Sequence, residues 1–332
     1  MRITTNSVMN NYIYNLNTIM GNRDSAGNQT MTHRKFTKAS QDPRSAQTAS
    51  LLHRRYLQNK DYISTVKAHQ ERLDMVSSAL EDIQGQGSKV LKDSALKAIN
   101  GTTSASERSA FAETFRQIQE SMLQYANTTY QGKYIFGGCH NDSAPFSGSG
   151  SRITYAGTDV TSGQTAALDT LSQEKACVDI GLGLNDGPVS DSNTLNTSIP
   201  GIAVLGYGVT PDGISKNLIA LTGQMSELLK SSEGDWVNGG AQRFKDMMSQ
   251  YEDSLNQVID TQSAIGVQSQ SLEITASRLN DLDLTYNTQI VDVEYVNDAE
   301  AISEYYYAQY TYNAALRVGS SILGPSLLDF LK

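Results

Sequence analysis

The stretch that decides the fold is residues 40–83, SQDPRSAQTASLLHRRYLQNKDYISTVKAHQERLDMVSSALEDI. Asp42 is placed to cap a helix, and Pro43 suits a first helical turn, where its missing N–H costs nothing. Apolar residues then return every three or four positions, at Leu52, Tyr56, Ile63, Val66, Leu73, Val76, Leu80 and Ile83, which is one stripe of a long amphipathic helix. Carried from 44 to 99, such a helix would run about 84 Å. Gly85, Gly87 and Gly101 are its weak points.

Working outward, proline placement extends the helical reading. The six prolines are Pro43, Pro145, Pro188, Pro200, Pro211 and Pro325, so none falls within 44–144 or 212–324. An interior proline costs roughly 3 kcal/mol, so both gaps read as helical. Asn100–Thr103 reads as a turn, and Ser104 or Ser106 as the cap of a second helix through Phe111, Phe115, Ile118 and Met122, ending near Thr128. The period changes at Lys133–Phe136, a short strand followed by Gly137-Gly138. Residues 147–213 hold eleven of the 26 glycines and short apolar runs at Arg152–Tyr155 and Ile202–Leu205, which predicts a small β-rich insert. Helical periodicity resumes at Leu218 and continues, after a turn at Ser231–Gly240 bearing the lone Trp236, to Val293. The spacing Leu279, Leu282, Tyr286, Ile290, Val293 fits a coiled-coil seam. A last stripe follows at Ile302, Tyr306, Tyr310, Leu316, Ile322, Leu323 and Leu327.

The predicted fold is therefore mainly α: a long antiparallel helical coiled-coil rod with a small β-rich insert domain at the tip. Its expected parts are terminal helices at 1–43 and 291–332, a rod domain at 44–146 and 214–290, and an outer insert at 147–213.

Charge is uneven along the chain. Residues 1–60 carry nine Lys/Arg against two acids, whereas 281–332 carry eight acids against only Arg317 and Lys332. The two ends could pair, within one chain or between neighbours, or they could be solvated faces that differ by chance. The overall charge of −9 argues against a nucleic-acid partner. No apolar run is long enough for a membrane span, and the first twenty residues lack a secretory signal pattern. Cys139 and Cys177 have no metal spacing; one disulfide and two free thiols are both open.

No catalytic constellation is visible. His33, His53, His69 and His140 form no HExxH, and the insert contains no histidine. Gly148-Ser149-Gly150-Ser151 is not a nucleophile elbow, and Gly181-Leu182-Gly183 lacks the third glycine of a dinucleotide fold. Asp179, Asp186 and Asp191 do not have EF-hand spacing, and read as solvated turn acids. No cofactor and no metal is expected.

Four segments carry a family likeness. They are Met1–Ser7 (MRITTNS), Ala39–Ala46 (ASQDPRSA), Gly132–Gly138 (GKYIFGG) and Ser326–Leu331 (SLLDFL). In this order they resemble the flagellar hook-associated protein 3 family of the flagellin superfamily, over about 145 N-terminal and 110 C-terminal residues. The motif positions are Asp42, Pro43, Tyr134, Phe136 and Gly137. The insert matches no family segment, and Tyr305-Tyr306-Tyr307 is heavier in tyrosine than the family pattern.

The resemblance implies a structural subunit joining hook to filament, not an enzyme. Its terminal segments would be disordered in the monomer and would form an inner coiled-coil tube on assembly. Export would follow the flagellar type III route, to an extracellular position at the hook–filament junction. Implied partners are other copies of itself, the first hook-associated protein, flagellin and a flagellar export chaperone. The alternatives are flagellin itself and a secreted adhesin that uses the insert. Leu16, Ile19, Leu316, Leu323, Leu327 and Leu328 are the expected polymer contacts; the competing reading has them closing an intramolecular bundle.

Overall fold

The structure is a computed structural model, and it describes residues 5–89, 95–99, 104–161, 165–181 and 194–323. Its helices are α1 (Thr5–Thr32), α2 (Pro43–Lys89), α3 (Leu96–Ala98), α4 (Ala105–Ala126), α5 (Thr165–Ser172), α6 (Gly201–Leu205), α7 (Leu218–Leu229), α8 (Glu233–Asp235), α9 (Ala241–Glu294) and α10 (Asp298–Leu323). The strands are short: β1 (Thr129–Tyr130), β2 (Lys133–Tyr134), β3 (Phe146–Ser149), β4 (Arg152–Tyr155), β5 (Thr158–Asp159), β6 (Cys177–Asp179) and β7 (Thr194–Asn196). The chain is mainly α, as its periodicity predicts. It forms two compact units, a terminal one (Met1–Lys60 with Asn280–Lys332) and a central one (Asp61–Leu279).

The helix starts follow from local chemistry. The Asp42 carboxylate accepts from Ser45 N–H at 3.1 Å, and Pro43 is the first residue of α2. Ser104, rather than Ser106, caps α4, with Glu107 returning the bond in a reciprocal capping box. Asn217 caps α7 through Ala220 N–H.

In the central unit α4 packs along α7. Phe115 and Phe244 meet edge-on at 6.0 Å between ring centres, and Trp236 adds a third ring at 5.8 Å from Phe244. Arg108 is buried beside them. Its guanidinium donates to Glu233 at 2.6 Å and lies 5.0 Å from the Trp236 ring, so the turn at 231–240 is fastened over α4. Gly87 is a weak point only by propensity: a Cβ there would meet Leu255 at 2.7 Å, so the position admits no larger residue without rearrangement.

The β hairpin β1–β2 turns through Gln131 and Gly132, with φ of 51° and 79°, the mirror-image turn that matches strand twist. The insert is more mixed than the sequence suggests. Arg152–Tyr155 is a strand in the antiparallel order β3-β4-β5, but Ile202–Leu205 lies in the short helix α6. A four-residue apolar run fits a buried helical turn as well as a strand, and here Ile202, Val204 and Leu205 all reach the core. The buried amide of Gln119 accepts from Gly150 N–H and donates to the Gly150 and Ile219 carbonyls, tying the β3–β4 turn to α4 and α7. Arg72 donates to the carbonyls of Thr197 and Ile135, at 2.9 and 3.2 Å, and so holds two separate chain segments to α2.

Candidate assembly surface

The terminal unit is built on an antiparallel pair, α1 with α10. The seam residues of α1 are Tyr12, Leu16, Ile19, Arg23, Ala26 and Thr30; those of α10 are Ala301, Tyr305, Ala308, Tyr312, Ala315 and Gly319. All are buried or half-buried, at alternating spacings of three and four. The partners are large against small. Tyr12 donates to the Ala315 carbonyl at 3.1 Å and leaves no room for a Cβ at Gly319, while the Tyr305 ring lies 3.3 Å from where a Gly27 Cβ would sit. Arg23 stacks on Tyr312 at 4.4 Å, and Thr30 donates to the Ala301 carbonyl at 3.2 Å.

The large apolar stripe read from the C-terminal sequence is not this seam. Ile302, Tyr306 and Leu316 lie one position after Ala301, Tyr305 and Ala315, and are exposed. On α1, Ile13, Met20 and Met31 likewise follow Tyr12, Ile19 and Thr30, and are exposed. An antiparallel pair is related by a two-fold axis normal to its ribbon, so the positions following the seam on both helices share one face. A surface hollow on that face is lined from both helices, by Gly27 and Met31 on one and Gln309 on the other. The face carries Ile13, Met20, Ile302 and Leu316, and Asp24, paired with Arg23 at 2.7 Å, also lies on it.

The expected contact residues therefore divide. Leu16 and Ile19 are half-buried on the seam; Leu316 is 43% exposed on the apolar face. The side chain of Leu323, and Leu327 and Leu328 entirely, lie outside the described residues. Of the motif positions, Asp42 and Pro43 start α2, Tyr134 ends the hairpin, Phe136 is fully buried, and Gly137 pairs with Pro200.

Opposite charge does meet within this unit. Lys60 reaches Asp283 at 3.0 Å, and this bond holds the ammonium above its ordinary range. Glu294, almost wholly buried, accepts from His53 at 2.8 Å and faces Arg34 at 3.6 Å. The chain turns here: His33 takes φ of 58° at the end of α1, its ring meets Asp298 at 2.6 Å, and Arg34 bridges to Tyr295 across the break before α10. Sequence showed the charge imbalance but not which residues would meet.

Among the described residues no cluster of His, Cys, Asp or Glu could hold a metal ion, and no helix is long and apolar enough to cross a membrane. Cys139 and Cys177 are both exposed free thiols. An exposed apolar face on a helix pair is suited to packing against other helices.

No protein-family model matches the chain. Among curated proteins it is 27% identical to flagellar hook-associated protein 3 of Escherichia coli K12, over 92% of each chain. It is 24% identical to the protein of that name in Salmonella typhimurium, over 99% of each. The solved flagellar hook-associated protein 3 of Legionella pneumophila has the same fold at a TM-score of 0.56 and 13% identity, over 74% of this chain and 98% of that one.

With its helical termini and small insert, the chain belongs to the structural proteins of the bacterial flagellum, which assemble with other flagellar components. Within that class the chain is similar throughout its length to flagellar hook-associated protein 3.

Proposed function

We propose that the chain is the structural subunit that joins hook to filament, acting outside the cell at that junction and carrying no catalytic role. It assembles through the apolar face of the α1/α10 pair, with Leu316 in the contact and Leu16 and Ile19 serving the seam that builds the face. Leu323, Leu327 and Leu328 extend the contact toward the C-terminus. The neighbours are other copies of itself, the first hook-associated protein and flagellin, and an export chaperone holds the C-terminal helix beforehand.

The observation that carries this reading is the exposure of Ile13, Met20, Ile302, Tyr306 and Leu316 on one face of a two-helix ribbon. A ribbon with so little of its own apolar surface buried must offset a backbone ordering cost of roughly 1–2 kcal/mol per residue. Neighbouring copies supply the missing burial, so the terminal segments order on assembly. Immunogold electron microscopy of intact flagella, with antibody against residues 147–213, tests the location. Label confined to the hook–filament boundary is expected; label along the filament would make the chain a flagellin, and absence from the flagellum would favour an adhesin.

A further inference from the structure

A second surface in the terminal unit is independent of the α1/α10 face. The first turns of α2 bury Ala49, Leu52 and Asn59, and turn outward Arg44, Leu51, Arg54 and Leu57, all exposed. The last turns of α9 bury Ile290 and Glu294, and turn outward Asp281, Leu284, Val291 and Asp292, also exposed. The first face is two leucines, 39% and 62% exposed, flanked by arginines. The second is a leucine and a valine, 68% and 47% exposed, flanked by aspartates. Lys35 sits at the margin of the second face, with its ammonium on the Asp292 carbonyl.

The bonds that join α2 to α9 run through other residues, Lys60 to Asp283 and His53 to Glu294. They leave Arg44, Arg54, Asp281 and Asp292 without an ion pair among the described residues. Because each stripe lies opposite its own helix's buried side, the two faces point away from one another. One copy can therefore offer its basic face to one neighbour and its acidic face to the next.

We propose that these faces bind each other between copies: the α2 face of one chain docks on the α9 face of a second chain. The occupant follows from sign. Each face has two exposed apolar side chains set among charges of one sign, and the two signs are opposite. Two α2 faces, or two α9 faces, would set like charges together. The contact is therefore head-to-tail, which generates a ring or a helical array and not a closed two-fold dimer. This inference rests on the reading that the chain assembles with itself, and adds which surfaces meet and in what polarity.

The test is disulfide trapping in assembled full-length protein. In a Cys139→Ser, Cys177→Ser background, Leu51→Cys and Leu284→Cys are made separately and mixed before assembly. Crosslinking of 51 to 284, at least tenfold over 51 to 51 or 284 to 284, is expected. Predominant 51-to-51 or 284-to-284 products, or normal assembly without any crosslink, would overturn the docking while leaving the junction reading intact. Failure of the parent chain to self-associate would overturn both. Charge reversal supplies a second arm: Arg44→Asp with Arg54→Asp should lose assembly, as should Asp281→Arg with Asp292→Arg. The fourfold swap should regain it, and assembly indifferent to either pair of reversals would count against the docking.

Discussion

The two compact units spend their apolar residues in opposite ways. The terminal unit holds about a third of the chain, yet among its described residues the buried apolar ones are Ala26, Ala49, Leu52, Ile290 and Ala301, three of them alanines. Seventeen large apolar side chains of the described residues stand exposed in it, against six in the central unit. The central unit buries Phe115, Phe136, Phe146, Tyr155, Phe244 and Tyr251 almost completely. Burial of one such side chain stabilises by about 1.5–3 kcal/mol, so the central unit has an internal source of stability. In the terminal unit the corresponding surface faces outward, and its stability depends on what covers it.

Substitutions can break or sharpen this contrast. The largest effect is expected at Phe115→Ala, which empties the Phe115–Phe244 contact: a loss of about 3–5 kcal/mol in denaturant unfolding of the central unit. Gly223→Ala should follow, at about 1–3 kcal/mol, because the added Cβ would run into the Gly150 carbonyl. Ser104→Ala, which removes the α4 cap, should cost about 1 kcal/mol by the same measurement. Ile13→Ser with Leu316→Ser sharpens the other side of the comparison. Each change should alter unfolding of the unassembled chain by no more than about 0.5 kcal/mol, while the double variant should lose assembly in sedimentation. A large drop in monomer stability would mean that these residues already have an internal partner.

The smallest expected effect is at Asp42. Hydrogen bonds from Ser45 hold its carboxylate below the ordinary range. Its contribution to α2 is thus present above the unfolded carboxylate value and lost as pH falls through the depressed folded one. In acid titrations followed by helical circular dichroism, Asp42→Asn should remove that part of the loss. An unchanged acid limb would show that the cap does not hold the carboxylate ionised.

Legibility in the sequence tracked the range of the interaction. The α2 start was readable because Asp42, Pro43 and Ser45 act within one turn, and so was the capping position before α4. The 202–205 run was not, since four apolar residues fit a strand or a buried helical turn until neighbours decide. The seam of the terminal pair was the subtler miss. The stripe of large residues, Ile302, Tyr306 and Leu316, looks like a core, but Ala301, Ala308, Ala315 and Gly319 allow the helices to approach, and the large side chains are left outside. Small residues carry little hydropathy signal, so only the partner helix reveals that they form the contact. The face bearing Leu316 was visible in part; Leu16 turns inward, as the competing reading of these residues had it.

Trp236, the only tryptophan, is caged between Arg108 and Phe244 in the central unit, whereas ten of the seventeen tyrosines belong to the terminal unit. The chain is thereby labelled by its own chromophores. Indole emission follows the central unit alone, and phenol signals are weighted toward the terminal one. Ordering of the termini during polymer growth can thus be timed against an internal reference that stays constant, with no dye attached.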